Sequence, residues 1–359
     1  MRIKKLPLFI LAFLAATSIH AQVGGNNTFE FLNLPISARV AALGGNNISS
    51  RDNDLNITLT NPALLTDSMN NNMALSYVNY FADVNYGYMA YAKKVDKIGL
   101  FGGGIQYLDY GKFKNTDEFG NIIGSFKAND LSINLSYANS VFDSNLVVGA
   151  TLKTIYSAME TYYSWGSAID LGAAYVRPAK KFTVGFVIKN IGLQWKPYTV
   201  GNYEKLPFEM QIGFTKQPKH VPFRLSVTYE NLEQWDLTYD DPNNPSTGKD
   251  PLTGKTIKQS KFKKYGDQFM RHIVIGGEFI ITKNFFLRGG FNYQRRKELS
   301  ILEKKGMAGF SFGVGFRVYK LHLSYARSAY HLAGASNHFS LSFDINNFYS
   351  RKTAPTTAQ

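Results

Sequence analysis

From Met73 almost to the end of the chain, apolar side chains recur at every second residue, in segment after segment. A period of two sends successive side chains to opposite faces of an extended backbone, so it admits strands and excludes amphipathic helices. Leu131, Ile133, Leu135 and Tyr137 alternate with Ser132, Asn134 and Ser136; Phe339, Leu341, Phe343 and Ile345 alternate with Ser340, Ser342 and Asp344. Cut at turn signals, the pattern predicts 14 strands, at 73-81, 84-93, 97-110, 129-140, 144-158, 163-177, 181-193, 206-216, 221-231, 269-281, 284-296, 307-318, 320-329 and 335-346. The fold class is therefore all-β.

The links between these strands alternate in length. Lys94 to Asp96, Val141 to Asp143, Pro178 to Lys180, Lys283 and Tyr319 are tight, whereas Gly111 to Ala128, Gly192 to Leu206, Asn231 to Gln268 and Lys297 to Met307 are long. Tight turns on one rim and long loops on the other characterise a transmembrane up-and-down antiparallel β-barrel, and a soluble sandwich, the alternative, has no reason to keep that parity. Only a closed sheet pairs every strand N–H and C=O inside hydrocarbon. No apolar run approaches the roughly 20 residues of a membrane helix. The 27 Phe, 22 Tyr and 3 Trp supply an apolar outer face and interfacial girdles, to which Tyr80, Phe81, Tyr107, Tyr110, Tyr162, Tyr163, Phe182 and Phe285 are assigned. Polar residues between them, such as Asn134, Lys189 and Asn292, are expected to face the lumen.

The flanks read differently. Arg2, Lys4 and Lys5 precede the apolar stretch Leu6 to Ala16, which predicts a secretory signal peptide over 1-21, cut after Ala21, and hence export. Residues 22-72 lack alternation and carry small-residue motifs, Ala42-Leu43-Gly44-Gly45 and Asn61-Pro62-Ala63. This segment is expected to plug the lumen of a barrel that spans 73-349; a periplasmic tail or an extra edge strand is the alternative. Residues 350-359 form a short tail.

No chemistry stands out. With no Cys and no HExxH, thiolate sites and zincin sites are missing, and Gly309-Phe310-Ser311-Phe312-Gly313 lies within the predicted strand 307-318 rather than at a strand-to-helix elbow, so neither an esterase site nor a metal or cofactor is expected. Gly102-Gly103-Gly104 sits inside an alternating strand rather than before a helix, so close approach or curvature explains it better than phosphate binding. His338, Ser340, Ser342 and Asp344 share one face of the last strand, which most simply points into the lumen. The net charge of +14 is spread over rims and lumen, which fits anionic lipid better than nucleic acid. In the longest link, Trp235, Tyr239, Asp240, Asp241, Lys261, Lys263 and Lys264 are candidates for docking a partner, because large amphipathic rings anchor interfaces. Lys258 to Lys264 also fit approach to lipopolysaccharide.

Thr28-Phe29-Glu30-Phe31-Leu32-Asn33-Leu34-Pro35, followed by Ser37 to Gly45 and Asn61 to Leu65, resembles the start of the PorQ family of the type IX secretion system. Tyr77 to Phe81, Gly104 to Tyr107, Asp117 to Asn121 and Trp235 to Pro242 continue that resemblance in the same order. More distantly, the Ala-Leu-Gly-Gly and Asn-Pro-Ala motifs are similar to the lumenal segment of FadL-like 14-stranded barrels. The resemblance implies a non-enzymatic outer-membrane protein of Bacteroidetes-type bacteria. It would belong to the attachment complex, holding a PorZ-like surface protein beside PorU-like and PorV-like components so that cargo is processed and linked to anionic lipopolysaccharide. The competing function is a FadL-like channel for a hydrophobic small molecule. An apolar continuous lumen would favour the channel, and a polar, filled one the anchor.

Overall fold

The computed structural model describes residues 27-141, 145-238, 261-299, 306-331 and 334-349, so the signal-peptide and C-terminal-tail expectations lie outside the described residues. Fourteen strands form one closed antiparallel barrel in which each strand pairs with its sequence neighbours and the first pairs with the last. They are β1 (Asn72–Asn79), β2 (Asn85–Val95), β3 (Gly99–Thr116), β4 (Ile122–Val141), β5 (Leu146–Met159), β6 (Tyr162–Arg177), β7 (Phe182–Lys196), β8 (Glu209–Lys216), β9 (Phe223–Tyr229), β10 (Ile273–Thr282), β11 (Phe285–Asn292), β12 (Phe310–Val318), β13 (Leu321–His331) and β14 (Gly334–Asp344). The closing seam runs from Asn72 opposite Asp344 to Asn79 opposite Asn337.

Alternation sorts the two faces as the sequence predicts. Ile133, Leu135 and Leu152 are exposed on the outside, while Ser132, Asn134, Lys153, Lys189 and Asn292 are buried inside. Tyr107, Tyr162 and Tyr163 belong to the outer belt, joined by Tyr156 and the stacked pair Trp165 and Trp195. Two assignments are corrected. Tyr110 donates its hydroxyl to buried Asp130 at 2.7 Å, and Tyr80 packs against the buried core, because Tyr110 lies on the inward parity of β3 and Tyr80 continues that of β1.

Tight turns follow the even-numbered strands through β12, and the chain enters β1 and leaves β14 on that same rim; the opposite rim carries the long links, with the two-residue turn at 160-161 between β5 and β6 as a tight exception. Gly111 to Ala128 is not a loop: β3 and β4 continue past a bulge as a hairpin, pairing Phe113 with Phe126, and turn only at Asp117 to Asn121. The strand expected over 284-296 stops at Asn292, whose side chain caps the helix α3 (Tyr293–Glu298) at Arg295 N. The strand expected from 269 starts at Ile273, because Lys261–Arg271 forms the helix α2. A further helix, α1 (Ala38–Ala42), lies in the lumen.

Candidate functional site

The lumen is occupied by residues 28-71, folded as α1 and short 3₁₀ turns whose side chains are mostly buried. Ser37 starts α1 by accepting from Val40 N. The helix is too short to be stable alone and is held by the wall. Ala38 N donates to Ser340 Oγ at 2.9 Å, Gly44 N donates to Ser311 Oγ at 3.1 Å, and Ser328 Oγ donates to Ala41 O at 3.2 Å. The Ala-Leu-Gly-Gly motif is small because it lies backbone to backbone on the wall, where a Cβ at Gly290 would stand 2.1 Å from Gly44 N. Gly44 also needs its left-handed φ of 99°. The Asn-Pro-Ala turn seats in the same way: Asn61 accepts from Ala63 N at 3.0 Å and donates to Ile48 O at 2.9 Å, against Gly149 and Gly172 of β5 and β6.

One charged cluster ties this plug together and to the wall, and a second joins neighbouring strands of the wall itself. Arg39 of α1 holds Asp52 at 2.7 Å, Asp54 at 3.4 Å and Glu278 of β10 at 3.3 Å. Arg224 of β9 reaches Asp52 at 2.8 Å, and Arg288 of β11 reaches Glu278 at 2.7 Å. Three guanidinium groups thus meet three carboxylates, so the buried charge is balanced. Across the lumen Lys153 pairs with Asp170 at 2.7 Å and Lys189 with Glu209 at 3.1 Å. Removing one member of such a pair strands the other, a penalty of about 3–5 kcal/mol. His338 is fully buried beside Ser336 Oγ at 2.8 Å, so the polar row of the last strand does face inward.

On the long-loop side a cavity of about 300 Å³ opens between plug and wall, lined by Leu32 to Ser37 but also by Lys189, Glu209, Glu230, Arg295 and Glu298. Above it the longest link folds onto the barrel. Buried His272 stacks on Tyr229 at 4.7 Å and on Trp235 at 5.7 Å, while its two ring nitrogens lie 2.8 Å from Glu230 O and 3.1 Å from Trp235 O. Trp235 also donates to Gln268 Oε1 at 3.1 Å, which fixes the link to α2. Beside it Glu233 accepts from Met210 N at 2.8 Å, and although the residue keeps an exposed edge, partial desolvation of its carboxyl raises it to about 7.

Of the docking candidates, Trp235 is half-exposed in this stack and Lys264 is exposed on α2. Lys261 and Lys263 lie in the same helix, and Tyr239, Asp240 and Asp241 fall outside the described residues. The plug residues Ala42, Leu43, Gly44, Gly45, Asn61, Pro62 and Ala63 come together in the lumen as a structural set. Sequence reasoning missed the Arg39 to Glu278 link, His272, and the β3–β4 hairpin with exposed Phe119, Ile122 and Ile123 at its tip. Only the hairpin left a signal, in the Asp117-Glu118-Phe119-Gly120 turn.

No family model matches the sequence, and no curated protein matches it. Among solved structures, the Ralstonia pickettii toluene transporter TbuX aligns over 87% of this chain and 98% of its own, with a TM-score of 0.51 at 13% identity. A deltaS2 mutant of the TodX monoaromatic hydrocarbon channel aligns over 86% and 97%, with a TM-score of 0.51 at 12% identity. At such identity the likeness is one of fold, and both neighbours carry names of transport rather than of enzymes. The decisive feature is in the barrel itself: a closed wall of paired strands wears a continuous apolar belt with aromatic rims. This chain is an outer-membrane protein. In that setting the tight-turn rim faces the periplasm, and the hairpin, α2 and α3 stand on the cell surface.

Proposed function

We propose that the barrel is a static outer-membrane anchor for a surface protein, the role that its resemblance to the PorQ family implies. Its partners would be a PorZ-like protein with PorU-like and PorV-like components, alongside lipopolysaccharide. The observation that carries this reading is the filled lumen, where an apolar core between plug and wall is crossed by a layer of buried ion pairs. Arg39, Asp52, Glu278, Arg224 and Arg288 cross-link plug and wall, and the cavity above them is lined with charge. A hydrocarbon passing that layer would have to part buried ion pairs. Rigid strands meanwhile hold the hairpin and the Trp235 link where a soluble partner can dock.

A second reading, a channel for a hydrophobic small molecule, has its own support. The solved neighbours are named as a toluene transporter and a monoaromatic hydrocarbon channel, which favours transport over anchoring at the level of fold. The wall offers no single answer: Gly102 to Gly104 pair without interruption with β2 and β4, whereas the β6–β7 ladder shifts register between Ile169 and Leu171.

Pull-down of the tagged protein from detergent-solubilised outer membrane, with mass spectrometry of bound proteins and lipid extracts, separates the two. Recovery of PorZ-like and PorU-like proteins, lost when 239-260 is trimmed from a folded barrel, is the outcome expected of an anchor. A folded barrel that brings down no secretion component but carries an apolar small molecule would establish the channel instead.

A further inference from the structure

Helix α2 is turned the wrong way for a helix in water. Its inner face is polar: Asp267 accepts from Tyr293 Oη at 2.7 Å and pairs with Lys297 at 2.9 Å and Arg271 at 3.0 Å, while Gln268 is held by Trp235. Its outer face is aromatic. Phe262, Tyr265 and Phe269, spaced by three and four residues, fall within one arc and are 88%, 60% and 47% exposed. A surface helix ordinarily buries its apolar stripe and wets its charged one.

What covers that arc follows from where the helix sits. The Phe269 ring lies 5.7 Å from the ring of Tyr229. Tyr229 ends β9 on the outward parity shared with Leu225 and Val227, and is paired with Ile212 of β8 and Ile273 of β10. The aromatic arc therefore prolongs the lipid-facing wall at its extracellular rim. Aromatic rings with a polar tip and an apolar body are favoured in the headgroup layer.

We propose that α2 is an interfacial helix, with Phe262, Tyr265 and Phe269 seated in the outer-leaflet lipid beside β9 and β10. The inference rests on the membrane placement of the barrel and not on the anchor reading. It gives the longest link a lipid contact that orients α2 and the Trp235 stack relative to the membrane plane.

The absence of native Cys allows a direct test on the full chain. Single spin labels are placed at Phe262→Cys on the arc, Lys264→Cys away from it, and Leu225→Cys on the wall as lipid reference. Each variant is folded into phosphatidylcholine–phosphatidylglycerol vesicles, with folding checked by heat-modifiable gel migration. Collision with oxygen and with a water-soluble nickel chelate is then measured by electron paramagnetic resonance. Position 262 is expected to resemble 225, with oxygen collisions exceeding chelate collisions several-fold, and 264 to show the reverse. A chelate preference at 262 equal to that at 264 would place the helix in water and overturn the proposal. Shielding of 262 from both reagents would overturn it too, since protein would then cover the arc; relief of that shielding by excess unlabelled chain would identify a second copy.

Discussion

Gly290 of the wall meets the plug backbone at Gly44 where no side chain fits, while Gly44 and Gly45 are themselves required by their left-handed φ and by the approach of Val274 and Arg295. A Cβ at Gly290 would also stand 2.3 Å from Leu43 C and 2.8 Å from Ala42 O, all backbone atoms that cannot rotate away. Gly290→Ala is therefore expected to destabilise the folded barrel by about 1–3 kcal/mol, the usual cost of forcing extra volume into a packed interior. The denaturant midpoint in detergent reads this out, and an unchanged midpoint would mean the plug slides freely. Glu233 makes a second residue-scale prediction. Its folded pKa of about 7 lies above the ordinary 4.5, so the folded link binds a proton that the unfolded link releases. Local stability is full below about pH 4.5, falls as pH rises towards 7 and is flat beyond. Hydrogen exchange across 230-238, corrected for intrinsic rates, should rise over that window in the wild type and less steeply in Glu233→Gln, where the buried carboxyl of Glu230, raised as well, still titrates. At this scale the sequence marks the plug motifs but not their counterparts. Ala42 to Gly45 stand out locally, whereas Gly276, Gly290 and Gly313 acquire meaning only when the barrel brings them against α1.

All 14 elements expected from periodicity exist, because in a membrane barrel the two solvents on either side of the wall enforce alternation on every strand. The misreadings cluster where lipid stops. Beyond Tyr110 neither face of the β3–β4 hairpin has a constant solvent, so Lys112, Phe113, Lys114 and Asn115 alternate weakly and read as loop. The same holds at 293-298, where Tyr293 continues an outward parity that the backbone abandons for a helix. Replacing 112-127 with a short turn is expected to leave heat-modifiable migration and the unfolding midpoint unchanged. The wall below remains registered by Asp109 opposite Asn129 and Leu108 opposite Asp130. Loss of the folded band would show instead that the hairpin is part of the barrel's stability.

For the molecule as a whole, fold class and membrane setting were legible, since period, parity and composition all answer to the bilayer. The surface arrangement was not. His272, Trp235, Tyr229 and the two outer helices are brought together from positions scattered across the longest link and its neighbouring strands, and no local spacing announces them. The plug has a further consequence for how such a chain can come into being. Its α1 end hangs on Ser311, Ser328 and Ser340 of the last three strands, while Asn61 and Pro62 rest on β5 and β6. The first described segment of the chain thus has its berth completed only by the last strands. Because the seam between β1 and β14 is the one that shuts the cylinder, the plug must already be inside when that seam zips. Assembly is a wrapping of the wall around its own leading end, and a chain halted before β12 would hold half a berth and no closed pore to put it in.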